Sequence, residues 1–324
     1  MIITQTPLRV SLLGGGTDFK SFYEEQGGCV LTTAIDKYIY CIVKECFNKK
    51  IYINYSKKET VDNVSQIKHD LVREAMKKTG VENGIDISFM SDVPGSGTGL
   101  GSSSSVTVGI LNALYLYTGR TVGAEQLARE ACEIEIDILK KPIGVQDQYI
   151  AAYGGLRFLE FTKFGIGTEK VDVSKEIQQE LADHIMLFFT GETRDSKTVL
   201  TEQSQKIPDN TAGLVEMSNL ARKGLLAIKN GNFKLLGQLI SESWEIKKSF
   251  AKNVTTPTID KMYLRAMKAG AFGGKISGAG NGGFLMLIVG PEKRKSVREA
   301  LSEYKYMKIE LSNYGSKAIF NIND

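Results

Sequence analysis

The sequence predicts a two-lobed α+β protein, and three observations carry that prediction. Up to about residue 190, strand-like runs rich in β-branched and aromatic residues alternate with helix-like stretches. From 196 to 269 the pattern is almost wholly helical, interrupted near Pro208, Gly231 and Pro257. The end of the chain then returns to strands. With 324 residues the chain is long enough to build two cores. The boundary is expected where the mixed pattern gives way to helices, which sets the lobes at 1–183 and 184–324.

Each element follows from local pattern. Residues 3–13 are extended and apolar, 14–16 make a glycine turn, and a short helix runs over 19–26. Stretches 30–35, 38–46 and 50–55 read as strands. Ile67, Leu71, Val72, Ala75 and Met76 have helical spacing, and 85–90 alternates in period two. Ser102–Tyr117 reads as a buried helix. A second helix over 125–139 must stop near Pro142, which restricts the residue before it and lacks an N–H. Strands follow at 156–161 and 184–190. After the helical tract come strands at 283–289, 307–311 and Lys317–Asn321, around a helix at 292–304. Trp244 and its apolar neighbours at helical spacing read as core.

Composition removes several classes of function. Apolar residues make up 42% and charged residues 24%, the balance of a soluble globular protein. The apolar run 284–289 is far short of the roughly 20 residues that span a bilayer. The N-terminus lacks the basic region and cleavage site of a signal peptide. A cytoplasmic protein without membrane association is therefore expected. Four cysteines without a C-x-x-C pair, and two isolated histidines, argue against a zinc site. A net charge of +4, dispersed along the chain, gives no footprint for nucleic acid. Oligomeric state is left open, a homo-oligomer included.

The chemistry concentrates in glycine. Of 33 glycines, 13 fall in three short stretches at 14–16, 95–101 and 273–283. The middle stretch, PGSGTGLGSSSS at 94–105, lies between a strand and a helix. Glycines expose backbone N–H groups that can converge on an anion, and the helix N-terminus adds its own unpaired N–H groups and positive dipole end. Serine hydroxyls there suit phosphate oxygens or a magnesium ion. A nucleotide polyphosphate fits this arrangement. A flexible linker does not, since it would not run from a strand straight into an apolar helix. The run is no Walker A loop, because no Lys-Ser or Lys-Thr follows its glycines. A G-x-G-x-x-G at Gly278, Gly280 and Gly283 precedes a strand instead of opening a helix, so it is no Rossmann fingerprint.

The run at 94–105 resembles the phosphate loop of the GHMP kinases, a family that includes galactokinase, homoserine kinase and mevalonate kinase. Two further segments resemble the family's other motifs in the same order, TPLRVSLLGGGTD at 6–18 and KISGAGNGG at 275–283. The resemblance implies a GHMP kinase two-domain fold, with an N-terminal domain like domain 2 of ribosomal protein S5 and a ferredoxin-like C-terminal domain. It implies ATP and Mg²⁺ as co-reactants, with ATP held by Pro94, Gly95, Ser96, Gly97, Thr98, Gly99, Leu100, Gly101, Ser102, Ser103 and Ser104. Asp147 is implied as the carboxylate that takes or orients the acceptor's proton. Arg9 is expected beside it, able to stabilise charge on the transferring group. Ser103 and Glu135 are the implied metal ligands, with Glu133 as rival to the latter. Those two glutamates lie about 200° apart on an α-helix, so only one faces the cleft.

The loop departs from the family at Ser104-Ser105, where Ala-Ala is common. Gly-Gly-Gly-Thr-Asp at 14–18 lacks the Glu and His of galactokinases, which argues against galactose. Together with IGVQDQ at 143–148 and FTGETR at 189–194, it most resembles the D-glycero-D-manno-heptose 7-phosphate kinases. That resemblance implies transfer to the anomeric hydroxyl of this small-molecule sugar phosphate. Gly16, Thr17, Asp18, Asp147 and Arg194 are the implied acceptor contacts. Arg194, with Lys197 and Lys20, is a candidate for the 7-phosphate, because a planar guanidinium suits a phosphate. Lys275, Gly278, Gly280 and Gly282 are expected to brace the phosphate loop from the second lobe. Fucokinase-type enzymes share parts of this pattern. Another sugar-1-kinase therefore stays open, as does a non-catalytic sensor of ATP and sugar.

Overall fold

The computed structural model describes residues 1–94, 97–192, 196–251 and 254–322, with backbone only at 196 and 197. An eight-stranded sheet holds β1 (Ile2–Leu13), β2 (Gly28–Glu45), β3 (Ile51–Asn54), β4 (Lys58–Val61), β5 (Ile85–Ser91), β6 (Leu156–Thr162), β7 (Gly165–Lys170) and β12 (Lys317–Asn321). β2 runs antiparallel to β1 over most of its length, while its other edge is shared by β6 and then β5. Sequence pattern splits β2 in two at Asp36-Lys37. The strand runs straight through, because a register shift between Pro7 and Leu8 absorbs those two residues as a bulge. Helices α2 (Asp70–Thr79), α3 (Ser102–Tyr117), α4 (Ala124–Cys132) and α5 (Gln146–Tyr153) share one core with this sheet, α3 packing on β1 and β2. Short α1 (Lys20–Gln26) and polar α6 (Lys175–His184) complete the lobe.

The second lobe is built on β8 (Ile185–Phe189), β9 (Gly273–Ile276), β10 (Phe284–Ile288) and β11 (Tyr306–Met307). Their order is β11-β8-β10-β9, all antiparallel, which is the 4-1-3-2 arrangement of a ferredoxin-like sheet. Between β8 and β9 the chain inserts α7 (Ser196–Gln205), α8 (Ile207–Lys229), α9 (Phe233–Lys248) and α10 (Pro257–Lys268). Helix α11 (Arg294–Ala300) joins β10 to β11. Trp244 is buried in the core, as its setting predicts. No described helix is long and apolar enough to cross a membrane.

The two lobes are not separable at 183/184. The sheets do divide there, with β1 to β7 before the cut and β8 to β11 after it. The last strand crosses back, however, pairing with β1 from Ile2↔Asn321 to Gln5↔Lys317. One hydrophobic core is also shared, joining Leu8, Val10 and Leu12 of β1 to Leu187, Met286 and Ile288 of the second sheet. The assignment of all of 184–324 to the second lobe is therefore corrected for its last strand. Edge pairing to β1 hides the bare side of that strand, which local pattern cannot register.

Candidate active site

A cleft of about 500 Å³ opens between the lobes, and all three glycine stretches reach it. Its floor is β1. Side chains two apart on a strand share a face, so Arg9 and Ser11 both point into the cleft. Arg9 Nε and Nη2 donate to Oδ1 and Oδ2 of Asp147 at 2.7 and 2.6 Å, a bidentate fork. Its remaining nitrogen, Nη1, donates to the carbonyl of Gly99 at 2.6 Å. Asp147 stands in the first turn of α5, an element without a clear sequence pattern.

The phosphate loop enters α3 through Gly101, whose backbone is left-handed. The described loop residues Gly97, Thr98, Gly99, Gly101, Ser102, Ser103 and Ser104 line the cleft. Gly95 and Ser96 lie outside the described residues. Pro94 and Leu100 do not face the cleft: Pro94 is exposed, and Leu100 is fully buried in the shared core. Leu100 contributes its carbonyl instead, which accepts from the Arg9 backbone N–H at 3.0 Å. The second-lobe glycine loop stacks on this one. A Cβ on Gly99 would come within 2.2 Å of the Ser277 carbonyl oxygen, and one on Gly278 within 2.7 Å of Gly99 Cα. Both glycines also have positive φ, so neither position accepts a side chain. Gly280 and Gly282 line the same wall, completing the brace expected of the 275–283 segment.

Ser103 Oγ donates to Glu135 Oε2 at 2.8 Å. Helix α4 passes at Glu133 into a π-helical turn, Glu133–Ile138, which turns Glu135 fully inward. Glu133 points the other way and pairs with Lys78 at 2.5 Å. Glu135 Oε1 accepts from Gln148 Nε2, leaving Oε2 for the Ser103 side, where Lys141 Nζ approaches at 3.5 Å. A hard oxygen pair that already draws a cation suits magnesium. The described residues hold no cluster of three or more His, Cys, Asp or Glu that would bind a metal without help from phosphate oxygens.

Asp18 lines the cleft wall near Asp147. Its Oδ1 accepts from Gly16 N at 2.9 Å, and its Oδ2 from the backbone and side-chain nitrogens of Gln146 at 3.2 and 3.1 Å. Burial pushes its carboxyl above the ordinary range against the pull of the Gly16 N–H, and the charge of Asp147 adds to the rise. Thr17 does not share this wall. Its hydroxyl bonds to the carbonyls of Gly14 and Cys29 and to the Cys29 N–H, fully buried behind the turn. Its expected role as an acceptor contact is corrected to tying the turn. Lys20 is exposed and sits near Glu24, away from the cleft. Arg194 lies outside the described residues, as does the Lys197 side chain.

Pattern alone overlooks four contributors. Ser11 Oγ, Gln146 Oε1 and Ser277 Oγ line the cleft as buried oxygens without a hydrogen-bond partner among the described residues, the mark of a surface that accepts a polar ligand. Ser11 was recoverable from its parity with Arg9, and Gln146 from its place beside Asp147. Lys247 is the fourth. It lines the cleft from α9, almost fully buried, and donates to the Gly278 carbonyl at 2.6 Å. Lys275, expected as part of the brace, likewise stands buried on the cleft wall, and no hydrogen bond or ion pair joins its Nζ to a described residue.

A cradle of backbone N–H groups at a helix start, facing a guanidinium-clamped carboxylate and buried ammoniums, is built to move a polyphosphate's terminal group to an acceptor. Comparison with known proteins places the chain within that class. Models of the GHMP kinases N terminal domain and the GHMP kinases C terminal match residues 46–155 and 224–306. A D-glycero-alpha-D-manno-heptose 7-phosphate kinase of Campylobacter jejuni is 32% identical, with 93% of each chain covered. The solved D-glycero-D-manno-heptose 1-phosphate kinase of Bacteroides thetaiotaomicron is 26% identical, with 99% of each chain covered and a TM-score of 0.81. The bifunctional fucokinase/GDP-fucose pyrophosphorylase of Arabidopsis thaliana is 25% identical, covering 96% of this chain and 32% of its own. The chain belongs to the GHMP kinase family and is a phosphotransferase, with ATP as the family's phosphate donor.

Proposed function

We propose that this kinase transfers the γ-phosphoryl group of ATP to the anomeric hydroxyl of D-glycero-D-manno-heptose 7-phosphate, giving the 1,7-bisphosphate and ADP. The observation that carries the reading is the acceptor wall of Asp18, Gln146 and Ser11, set beside Asp147 and rich in oxygens that seek hydroxyl partners. The whole-length similarity to a heptose 7-phosphate kinase supports the choice of sugar. Such a product would feed nucleotide-activated heptose synthesis in the cytoplasm.

Asp147 accepts, or orients, the proton of the acceptor hydroxyl as its oxygen attacks the γ-phosphorus. The bond between that phosphorus and the β,γ-bridging oxygen breaks, and the oxygen leaves with the electron pair as part of ADP. Arg9 fixes the carboxylate through two hydrogen bonds and places its charge beside the transferring group. Loop N–H groups and the start of α3 hold the phosphate chain. Ser103 and Glu135 would hold Mg²⁺, which when bound supplies charge neutralisation on phosphate oxygens. Arg194 remains our candidate for the 7-phosphate.

A second reading, transfer to a free sugar such as fucose, draws on the fucokinase similarity. ADP release measured over heptose 7-phosphate, heptose, fucose, galactose and mannose separates the two. The heptose phosphate should give the highest kcat/KM. A free hexose that outperforms it would overturn the choice of acceptor.

A further inference from the structure

We propose that Lys247 is a further catalytic residue, its ammonium reaching from the second lobe to hold the phosphoryl group in transit between ATP and acceptor. The inference deepens the phosphotransferase reading and does not depend on which sugar is the acceptor.

The geometry carries it through a short chain of contacts. Lys247 Nζ donates to the Gly278 carbonyl at 2.6 Å. Gly278 packs directly on Gly99, and the Gly99 carbonyl accepts from Arg9 Nη1 at 2.6 Å. The ammonium is therefore linked to the Arg9–Asp147 pair through the stacked Gly278 and Gly99 peptides, at the seam where the two glycine loops meet. The charged groups facing it come from every element around the seam: Asp18 after β1, Arg9 on β1, Asp147 on α5 and Lys275 on β9. Lys247 thus lines the cleft together with Asp18 and Gln146 on one side and the phosphate-loop residues Gly97, Thr98 and Gly99 on the other.

The charge balance around Lys247 is uneven. An ammonium has three donors, and a single carbonyl occupies one of those of Lys247. No carboxylate of a described residue comes within ion-pair distance of it, and Lys275 beside it has no partner either. Burying a cation without a counter-charge is costly, and side chains so placed are normally matched by something. Arg9 has its match in Asp147, whereas the two lysines have none among the described residues. A group carrying negative charge on several oxygens, arriving at this point, supplies the match. A phosphoryl group passing from ATP to a hydroxyl is such a group, its charge spread over three equatorial oxygens. Lys247 stays protonated throughout, since the acceptor's proton goes to Asp147 and the electron pair leaves with ADP. Burial also holds the Lys247 ammonium well below the ordinary lysine range, at about 8, so its charge is within reach of mild alkali.

The test compares Lys247→Met and Lys247→Arg with the wild-type enzyme, using ATP and whichever acceptor, water included, the wild type turns over fastest. A wrong choice of sugar would thus fail in the acceptor panel and leave this test intact. Lys247→Met should lower kcat about 100-fold, the scale seen when one charge-stabilising donor is removed, with both KM values nearly unchanged. The alkaline limb of the wild-type kcat/KM profile should have its midpoint near 8. Lys247→Arg should recover part of kcat and move that limb to higher pH, because a guanidinium keeps its charge. The proposal is overturned if kcat survives in Lys247→Met. It is equally overturned if only the KM of a phosphorylated acceptor rises, which would make Lys247 a substrate-phosphate ligand, or if Lys247→Arg restores the melting temperature but no turnover.

Discussion

Two sets of buried cations meet in the cleft, and they are held in opposite ways. Arg9 is neutralised inside the chain, locked to Asp147 by two short hydrogen bonds. Lys247 and Lys275 are as deeply buried, yet among the described residues Lys247 has one carbonyl partner and Lys275 has none, and burial pushes both ammoniums down from the ordinary lysine range. A buried pair that satisfies itself contributes to the fold as well as to chemistry. Buried ammoniums without a partner oppose the fold, so their benefit must come when a ligand is present. The contrast separates what the first lobe supplies, a pre-assembled carboxylate and phosphate cradle, from what the second supplies, charge that waits for phosphate.

The largest effect is expected at Arg9. Replacing it with Met should remove the clamp on Asp147 and leave that carboxylate buried without its counter-ion. Stability should fall by about 3 kcal/mol, read as a lower urea midpoint, and turnover should be lost with it. Lys247→Met should behave in the reverse manner on the stability axis, leaving the midpoint of the apo enzyme unchanged or higher while turnover collapses. If both variants destabilise equally, the distinction drawn here fails.

A smaller effect should appear with pH alone. The native enzyme sheds the Lys247 proton near 8, whereas the unfolded chain keeps it to the ordinary lysine range near 10.5. Between those values the unfolded state keeps the proton that the fold has lost, so the contribution of this lysine rises with pH. The window to examine is about pH 7.5 to 8.5. The thiols of Cys29, Cys41 and Cys132, pushed up by burial in the fold, begin to ionise there in the unfolded chain and pull stability the other way, equally in wild type and in Lys247→Met. Urea titrations of both apo enzymes should therefore show wild type gaining stability relative to Lys247→Met as pH rises through 8.

At the metal pair, Glu135→Gln should raise the Mg²⁺ concentration needed for half-maximal activity by about 100-fold. An unchanged requirement would remove Glu135 from the site. The smallest effect is expected at Thr17→Val, which deletes a hydroxyl that ties Gly14 to Cys29 and strands the Cys29 N–H. That should cost about 1–2 kcal/mol of stability with no change in acceptor KM. A raised KM with unaltered stability would return Thr17 to the acceptor site.

Legibility in the sequence followed the strength of local signals. Helix α3 was readable to its end residues because a glycine-serine start and an apolar body agree, and β12 because it is a clean strand pattern. Helix α6 escaped because it is largely polar, and β9 because it begins with two glycines. Those glycines are needed for α9 to approach, since a Cβ on Gly273 would fall 1.8 Å from the Gly237 carbonyl oxygen. In the site, the loops, Arg9, Asp147, Ser103 and Glu135 were legible through motif order, and the structure brings each pair together. Thr17 misled because it neighbours Asp18 in the chain while its hydroxyl turns away from the cleft. Lys247 gave no signal at all. It stands beside Lys248, an ordinary surface lysine paired with Glu245, and only the tertiary packing of α9 against the glycine loop separates the two.

The most direct test of the account is Asp147→Asn, assayed for ADP release with ATP and the best acceptor, alongside ATP binding by calorimetry. The amide keeps the shape of the carboxylate but cannot take the proton, so turnover should fall about 1,000-fold or more while ATP affinity stays within a few-fold of wild type. Turnover close to wild type in a folded, ATP-binding Asp147→Asn enzyme would contradict the assignment of the reaction centre.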